Sequence, residues 1–358
     1  MIAAKELLSR MVRIPSASGQ ESELADFVGQ LAAQHKLHVR RVGGSIVLSP
    51  HPGPVRVLFA SHLDTVPVGE GWTADPLAGE WRAGRLLGRG ANDAKGCAAA
   101  MLWALVHCAR EGSATGAAVA LTACEETSNA GMQAVIDELG LPELAVVGEP
   151  TGLQVVRSQA GLCLIEAHWT GSSCHAAHAH RHSHENALLA AARDLAALPP
   201  VGVLRTGHPL LGPTTWVPTL LSSGERHNVV PDRACAVFDC RLAPPHSALT
   251  CLEELGRKLP GAELVVRSDR LRAVETSAEH YLVRGACELA GAAQAVGSNT
   301  MSDMALLADV PAIKVGPGES ARSHTADEYL EEEELEAGCR FYRALLPALT
   351  HTAIAVRG

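Results

Sequence analysis

Lysine is scarce in this chain: of 358 residues 30 are basic, and only five of those are lysine. No run of basic residues occurs and the formal net charge is −9, which argues against a nucleic-acid partner. Long apolar runs are missing too. No stretch reaches the length that crosses a bilayer, so no membrane association is expected. Residues 1–13 carry charges throughout an amphipathic pattern, which reads as a helix and not as a signal peptide. The ten cysteines include no C-x-x-C pair, and Cys97, Cys108, Cys124 and Cys163 fall in apolar segments. Buried free thiols in a reducing, cytoplasmic setting fit this pattern better than a disulfide framework does. There is no internal repeat and no low-complexity linker. The length allows one large domain plus a smaller one.

Chemistry begins where one apolar run ends. Val55 to Ala60 reads as a buried strand, short and bounded by Pro54, and Ser61-His62-Leu63-Asp64-Thr65-Val66-Pro67 follows it. His62 and Asp64 stand two apart, so a period-2 backbone turns both to one face. A histidine with a carboxylate beside it suits metal binding, one ring nitrogen ligating while the carboxylate orients the other. By itself H-x-D is also an ordinary surface pair.

Further acidic and imidazole positions recur at the ends of apolar segments. Asp93 lies in the glycine-rich turn Gly88-Arg89-Gly90-Ala91-Asn92-Asp93-Ala94-Lys95-Gly96, ahead of an alanine-rich helix near Cys97 to Cys108. Glu125 and Glu126 end the strand Ala117 to Ala123, and Glu149 follows Leu144 to Val147. His324 closes the stretch that begins at Gly316-Pro317-Gly318. In an open α/β sheet, ligands gather outside the carboxyl ends of the strands, so these positions point to one place. Two divalent cations bring four positive charges, and Asp93, Glu126, Glu149 and one hydroxide balance them, with His62 and His324 as neutral donors. Nitrogen and oxygen ligands without thiolate suit zinc, with cobalt or manganese as substitutes. Adjacent strand residues face opposite ways, so Glu125 and Glu126 cannot easily bind the same metal; at a strand end one can ligate while the other reaches the bridging water, a geometry for general-base work.

Element order indicates an insertion. Up to about Gln159 the pattern is helix, strand, strand, helix, strand, helix, strand, that of a sheet covered by helices. Leu162 to Thr170 starts a second set: the helix Glu185 to Leu198, strands near Thr214 to Leu221 and Ala234 to Leu242, the helix Ala248 to Leu259 and the strand Ala262 to Arg267. This order is ferredoxin-like. Helices resume after Leu271, with the strand Ala312 to Val315 and a last helix Glu331 to Leu349. The expected fold is therefore α/β, a mixed sheet flanked by helices in residues 1–160 and 271–358, with an α+β domain inserted at 161–270.

In order and wording, SHLDTVP, GRGANDAKG, ACEET, GEPT and GPGESARSHTADEYL resemble the acetylornithine deacetylase and succinyl-diaminopimelate desuccinylase family of two-zinc amidohydrolases, relatives of aminoacylases and dipeptidases. The resemblance spans nearly the whole chain. It implies a zinc-peptidase-like catalytic domain in which Asp93 bridges both metals, His62 and Glu149 complete one site, and Glu126 and His324 complete the other. Glu125 would be the general acid/base and Asp64 a second active-site carboxylate that orients His62. A cis peptide would follow Asp93.

For the insert, the resemblance implies a lid that forms a homodimer. Gly171-Ser172-Ser173-Cys174-His175-Ala176 is similar to the family's turn whose histidine reaches a partner subunit's active site and steadies the oxyanion, with Cys174 where glycine is usual. Asn228 and Arg241 match substrate-carboxylate contacts, Arg241 through its planar fork. Asp303 and Glu319 are candidates for a substrate ammonium, or else satisfied carboxylates, and Gly318 is a further substrate-binding candidate. His178, His180, His182 and His184 read as solvated loop residues, with a metal-binding tract as the rival.

The implied reaction is hydrolysis of a small N-acyl amino acid amide. The Trp72-Thr73-Ala74-Asp75-Pro76 spacer and the H-T-A-D-E-Y ending favour acetylornithine, in arginine biosynthesis. Acetylcitrulline, carrier-protein-linked lysine or ornithine, succinyl-diaminopimelate and dipeptides are alternatives. A non-catalytic metal-containing homologue would lack Glu125 or a ligand, and none is missing.

Overall fold

Four apolar segments, Val57–His62, Ala117–Thr122, Leu144–Val147 and Ala312–Lys314, are buried along their whole length, as strands covered on both faces must be. In the computed structural model, which describes residues 3–181 and 183–355, they form the parallel centre of a mixed sheet. Six of its nine strands run in the order His38–Val42, Ser45–Ser49, Ala117–Thr122, Val57–His62, Leu144–Val147, Ala312–Lys314, and the first two are antiparallel to their neighbours. Because the central four are parallel, their carboxyl ends leave the sheet at the same edge. His62 ends one strand, the Glu125–Glu126 turn follows another, Glu149 a third, and the chain from Val315 to His324 the fourth.

The helix Lys95–Arg110 packs against this sheet and against the helices Ala4–Arg13 and Glu332–Ala355. Ala98, Ala99, Ala100 and Ala104 are fully buried on it, and their small side chains let the helix lie close to its neighbours. The amino-terminal region contains one more helix than its pattern suggested. Ala4–Arg13 stops at Ile14, whose extended backbone is what the following Pro15 demands, and a second helix, Ser22–Gln34, starts after Gly19. The carboxy-terminal helix continues past Leu349 to Ala355 with Pro347 inside it.

The chain divides into two units, Met1–Arg157 with Glu275–Val296 and Ser302–Gly358, and Ser158–Val274 with Gly297–Met301. The second unit has its own core, in which Trp216 and Phe238 meet edge to face with ring centroids 6.0 Å apart. Along Gly161–Thr170 burial alternates strictly, with Cys163, Ile165, Ala167 and Trp169 inward, as for a sheet packed on one face. Its strands are all antiparallel, in the order Gly202–His208, Gly212–Ser223, Arg233–Leu242, Gly161–Thr170, Glu263–Leu271. With the helices Ala187–Ala196 and Ala248–Lys258, the last four strands make a ferredoxin-like arrangement. The edge strand Gly202–His208 is an addition that the sequence pattern did not suggest. Its exposed positions break the alternation, and it begins at Gly202, where a β-carbon would stand 1.8 Å from the Trp216 ring. Only glycine permits so close an approach.

Candidate active site

Asp93 stands between two imidazoles. Its Oδ1 lies 3.2 Å from His62 Nε2 and its Oδ2 3.5 Å from His324 Nε2. His324 Nε2 is also 3.0 Å from a Glu126 carboxylate oxygen. Potential ligand atoms of His62, Asp93 and Glu149 lie within 4.8 Å of one another, and so do those of Asp93, Glu126 and His324. Asp93 belongs to both groups. The structure thus brings together four residues that end or follow four strands of the sheet, and Asp93 from the turn before the helix Lys95–Arg110.

Asp64 acts differently from its expected role. His62 Nδ1 donates to the Asp64 main-chain carbonyl at 2.8 Å, whereas the Asp64 carboxylate is 3.7 Å from that nitrogen. The carbonyl therefore holds the ring and leaves Nε2 facing Asp93. The carboxylate, fully buried, accepts the main-chain N–H groups of Glu125 and Glu126 at 2.9 and 3.1 Å and the Ser18 hydroxyl at 2.7 Å. The two glutamates are not strand residues. The strand ends at Thr122, Cys124 has a left-handed backbone (φ +56°), and a turn carries Glu125 and Glu126. The argument from alternate strand faces does not apply to them; Asp64 organises their turn instead.

Asp93 is placed by its own turn. Glu328 Oε1 accepts the N–H groups of Asn92 and Asp93, each at 2.9 Å, and its Oε2 pairs with Arg89 Nη1 at 2.6 Å. The peptide bond after Asp93 is cis. Sequence reasoning missed Glu328, although it stands four residues past His324 in the same stretch.

The electrostatics suit a cation. Burial pushes the Glu125 carboxyl well above the usual range, with Glu149, Asp303 and Glu126 adding to the effect and the His62 charge opposing it. Burial also raises Glu126, and it lifts Glu149 to about 8 with help from Asp93 and Glu126. Asp93 stays below its ordinary value: burial opposes this, but the His62 and Ser323 hydrogen bonds and the His324 charge prevail. A divalent ion in each group would remove the cost of assembling these carboxylates. All donors are imidazole nitrogens or carboxylate oxygens, a set that zinc, cobalt or manganese accepts. Two other groups of potential ligands lie in the second unit. Cys163, Cys240 and Cys251 are sealed in its core. Glu166 is engaged by His168 at 3.1 Å and Arg267 at 3.5 Å, with Cys235 alongside.

Asp303 is buried, and its oxygens are taken by Thr122 Oγ1 at 2.7 Å and Asn129 Nδ2 at 3.0 Å. Burial raises it to about 6. It is an internal carboxylate with a hydrogen bond to each oxygen. Gly318 has a structural reason to be glycine: at φ +88° its β-carbon would lie 2.4 Å from Asn92 Oδ1, and its carbonyl accepts Gly152 N–H. Glu319 is exposed.

In the second unit, His175 is exposed, forms a bridge with Val229, and is followed by Ala176, whose N–H reaches the Asn228 carbonyl at 2.9 Å. His175 and Asn228 therefore sit on paired segments. Cys174 has an ordinary backbone conformation, which explains why the turn tolerates a residue other than glycine. Arg241 is exposed and forks onto Asp239 two residues away, at 2.8 and 3.1 Å, so its guanidinium is already engaged. His178 and His180 lie on an exposed 3-10 turn, Ala176–Arg181, and His182 lies outside the described residues.

Comparison with known proteins follows the same lines. The chain is 32% identical over 336 residues to an acetylornithine deacetylase from Myxococcus xanthus, covering 89% of this chain and 85% of that protein. It is 32% identical over 286 residues to a succinyl-diaminopimelate desuccinylase from Acidiphilium cryptum (strain JF-5), covering 72% and 73%. Among solved structures, an M20 family metallo-carboxypeptidase from Sulfolobus solfataricus superposes with a TM-score of 0.73 at 18% identity, covering 97% of this chain and 99% of that one. A dinuclear metal-binding M20 peptidase from Bacillus subtilis superposes with a TM-score of 0.74 at 16% identity, covering 98% of each. These two likenesses show the fold. The model of peptidase family M20/M25/M40 matches residues 58–348, and the chain belongs to that family.

Proposed function

We propose that this protein hydrolyses an N-acyl amino acid amide, with N-acetylornithine as the substrate, giving ornithine and acetate. The observation that carries this reading is Asp93, shared between two groups of ligands, with Glu125 beside the ligand Glu126 in a turn tied down by Asp64. His62 and Glu149 would hold one divalent ion, Glu126 and His324 the other, and Asp93 both, with zinc the metal that the donor set favours. Such ions, when bound, polarise the scissile carbonyl and acidify water. Glu125 takes the proton of the attacking water and returns it to the departing amine, since it belongs to neither group of ligands and its turn holds it next to the ligand Glu126.

In this reading the second unit is the inserted lid and dimerisation domain, and the enzyme is a cytoplasmic homodimer. His175 of one subunit steadies the oxyanion in its partner, while Asn228 and Arg241 receive the substrate's α-carboxylate once Arg241 leaves Asp239. The similarity to the Myxococcus xanthus acetylornithine deacetylase over most of both chains supports the substrate choice. The desuccinylase relative, at equal identity over a shorter span, makes succinyl-diaminopimelate the second reading. The deciding experiment assays zinc-loaded protein against acetylornithine, acetylcitrulline, succinyl-diaminopimelate and a dipeptide panel. Turnover of acetylornithine at least tenfold above the rest is expected. No amide cleaved in the panel would overturn the reaction class, and preference for another member would overturn the substrate.

A further inference from the structure

We infer that Glu328 is a positioning residue for Asp93: by accepting the main-chain N–H groups of Asn92 and Asp93, it sets where the shared carboxylate stands and how far it lies from His324. The inference rests on the reading of Asp93 as the bridging ligand. The Glu328 carboxylate is bonded to the main chain of Asn92 and Asp93 and to Arg89, so its hold on Asp93 passes through the backbone.

Four observations carry it. First, Asn92 and Asp93 sit in a buried turn between Gly90 and the helix that starts at Lys95, and a buried N–H needs an acceptor. Both find it in one oxygen, Glu328 Oε1, at 2.9 Å. Second, Glu328 itself is held from the other side. Its Oε2 meets Arg89 Nη1 at 2.6 Å, and Arg89 in turn donates to the Val68 carbonyl and lies 5.0 Å over the Trp72 ring. Glu328 and Arg89 are 1% and 4% exposed, so this charge pair exchanges little with water. Third, the backbone delivers the side chain accurately. Gly88 N–H donates to the Glu328 carbonyl, and the next residues, Tyr329–Glu331, pair in register with Arg85–Leu87.

The fourth observation closes the circuit. The segment that ends in Glu328 also carries His324, and Asn92 grips that segment upstream. Its Oδ1 accepts Glu319 N–H at 2.9 Å, and its Nδ2 donates to the Glu319 carbonyl and the Ser323 hydroxyl at 3.1 and 3.3 Å. Two segments remote in sequence thus hold each other on both sides of the pair Asp93–His324. Moving Glu328 would shift Asp93 relative to Glu126 and His324 together, whereas His62 would follow its own strand. Hydrogen-bond partners of this outer kind typically change metal affinity 10–100-fold when removed.

The test compares two double variants that both remove the buried ion pair. R89M/E328Q keeps an oxygen for the two N–H groups, and R89M/E328M removes it. Each metal-free protein is titrated with Zn2+ by calorimetry, alongside D93N. We expect R89M/E328Q to bind both ions within threefold of the unaltered protein, and R89M/E328M to lose at least tenfold in affinity for one of them. Equal affinities in the two double variants would overturn the positioning role, because a purely structural ion pair is lost in both. If D93N retained two tightly bound ions, the bridging reading itself would fail, whatever Glu328 does. Should R89M/E328M not fold, amide exchange in the unaltered metal-free protein decides. Slow exchange at Asn92 and Asp93 supports the assignment, and free exchange overturns it.

Discussion

Replacing Asp64 separates two ideas about what this carboxylate does. Its oxygens accept three hydrogen bonds, from Glu125 N–H, Glu126 N–H and the Ser18 hydroxyl, at 2.7 to 3.1 Å and without solvent exposure. Hydrogen bonds to a charged acceptor contribute about 1.5–3 kcal/mol each. The three share one acceptor and do not add, so Asp64→Ala should lower the unfolding free energy by about 3–5 kcal/mol. Asp64→Asn keeps one acceptor oxygen but aims an NH2 at a donor, and should cost about 2–3 kcal/mol. The turn that carries Glu125 and Glu126 loses its anchor in Asp64→Ala and half of it in Asp64→Asn. A shift of this turn by about 1 Å would lower kcat roughly 10²-fold.

His62 should be spared, because the Asp64 main-chain carbonyl that holds its Nδ1 survives any substitution. Denaturant unfolding of the metal-free protein gives the stability change, and a Co2+ titration followed by absorption gives the state of the His62 site. The reasoning is refuted if Asp64→Asn unfolds like the unaltered protein yet loses the ion at His62. The carboxylate would then act on the imidazole across 3.7 Å, and the turn would be indifferent to it.

Three further outcomes follow from the site. Glu125→Gln should retain both ions and lose about 10²–10⁴-fold in kcat, the range for a general acid–base group, and near-normal turnover would remove Glu125 from the chemistry. Glu149, lifted to about 8, binds a proton in the metal-free fold that the unfolded chain releases above about pH 4.3. The stability tied to that proton is full below about pH 4.3 and is lost as pH rises through about 8, so the metal-free Tm should fall across this window and flatten in Glu149→Gln; calorimetry near pH 6 should show proton release on ion binding, and a Tm profile unchanged by Glu149→Gln would count against the assignment. Arg241→Ala, which removes an exposed pair with Asp239, should alter stability by less than about 1 kcal/mol, and its kcat/KM should drop about tenfold or more for acetylornithine but not for the α-amide analogue; equal losses on both would leave Arg241 without a substrate role.

Much of this protein was legible in one dimension, for a physical reason. Strands buried on both faces must be short apolar runs, and parallel strands must send their carboxyl ends to one edge, so residues placed just after Val57–His62, Ala117–Thr122 and Leu144–Val147 had to meet. The order of strands and helices in the second unit likewise announced its architecture. Local backbone geometry was less accessible. The Glu125–Glu126 turn, the extra helix Ser22–Gln34 and the edge strand Gly202–His208 depend on contacts that no periodicity records, such as the Asp64 anchor and the Trp216 ring over Gly202.

Sequence alone determined which residues could ligate and that they would converge, because residue type and strand position follow directly from it. Only the tertiary structure decided how each is held. The Asp64 carboxylate serves a turn while its carbonyl holds the His62 ring, Asp303 accepts from Thr122 and Asn129, and Glu328 reaches back to the Asp93 turn. Those partnerships join segments far apart in the chain, and each depends on ångström-scale distances that arise only once the core has packed.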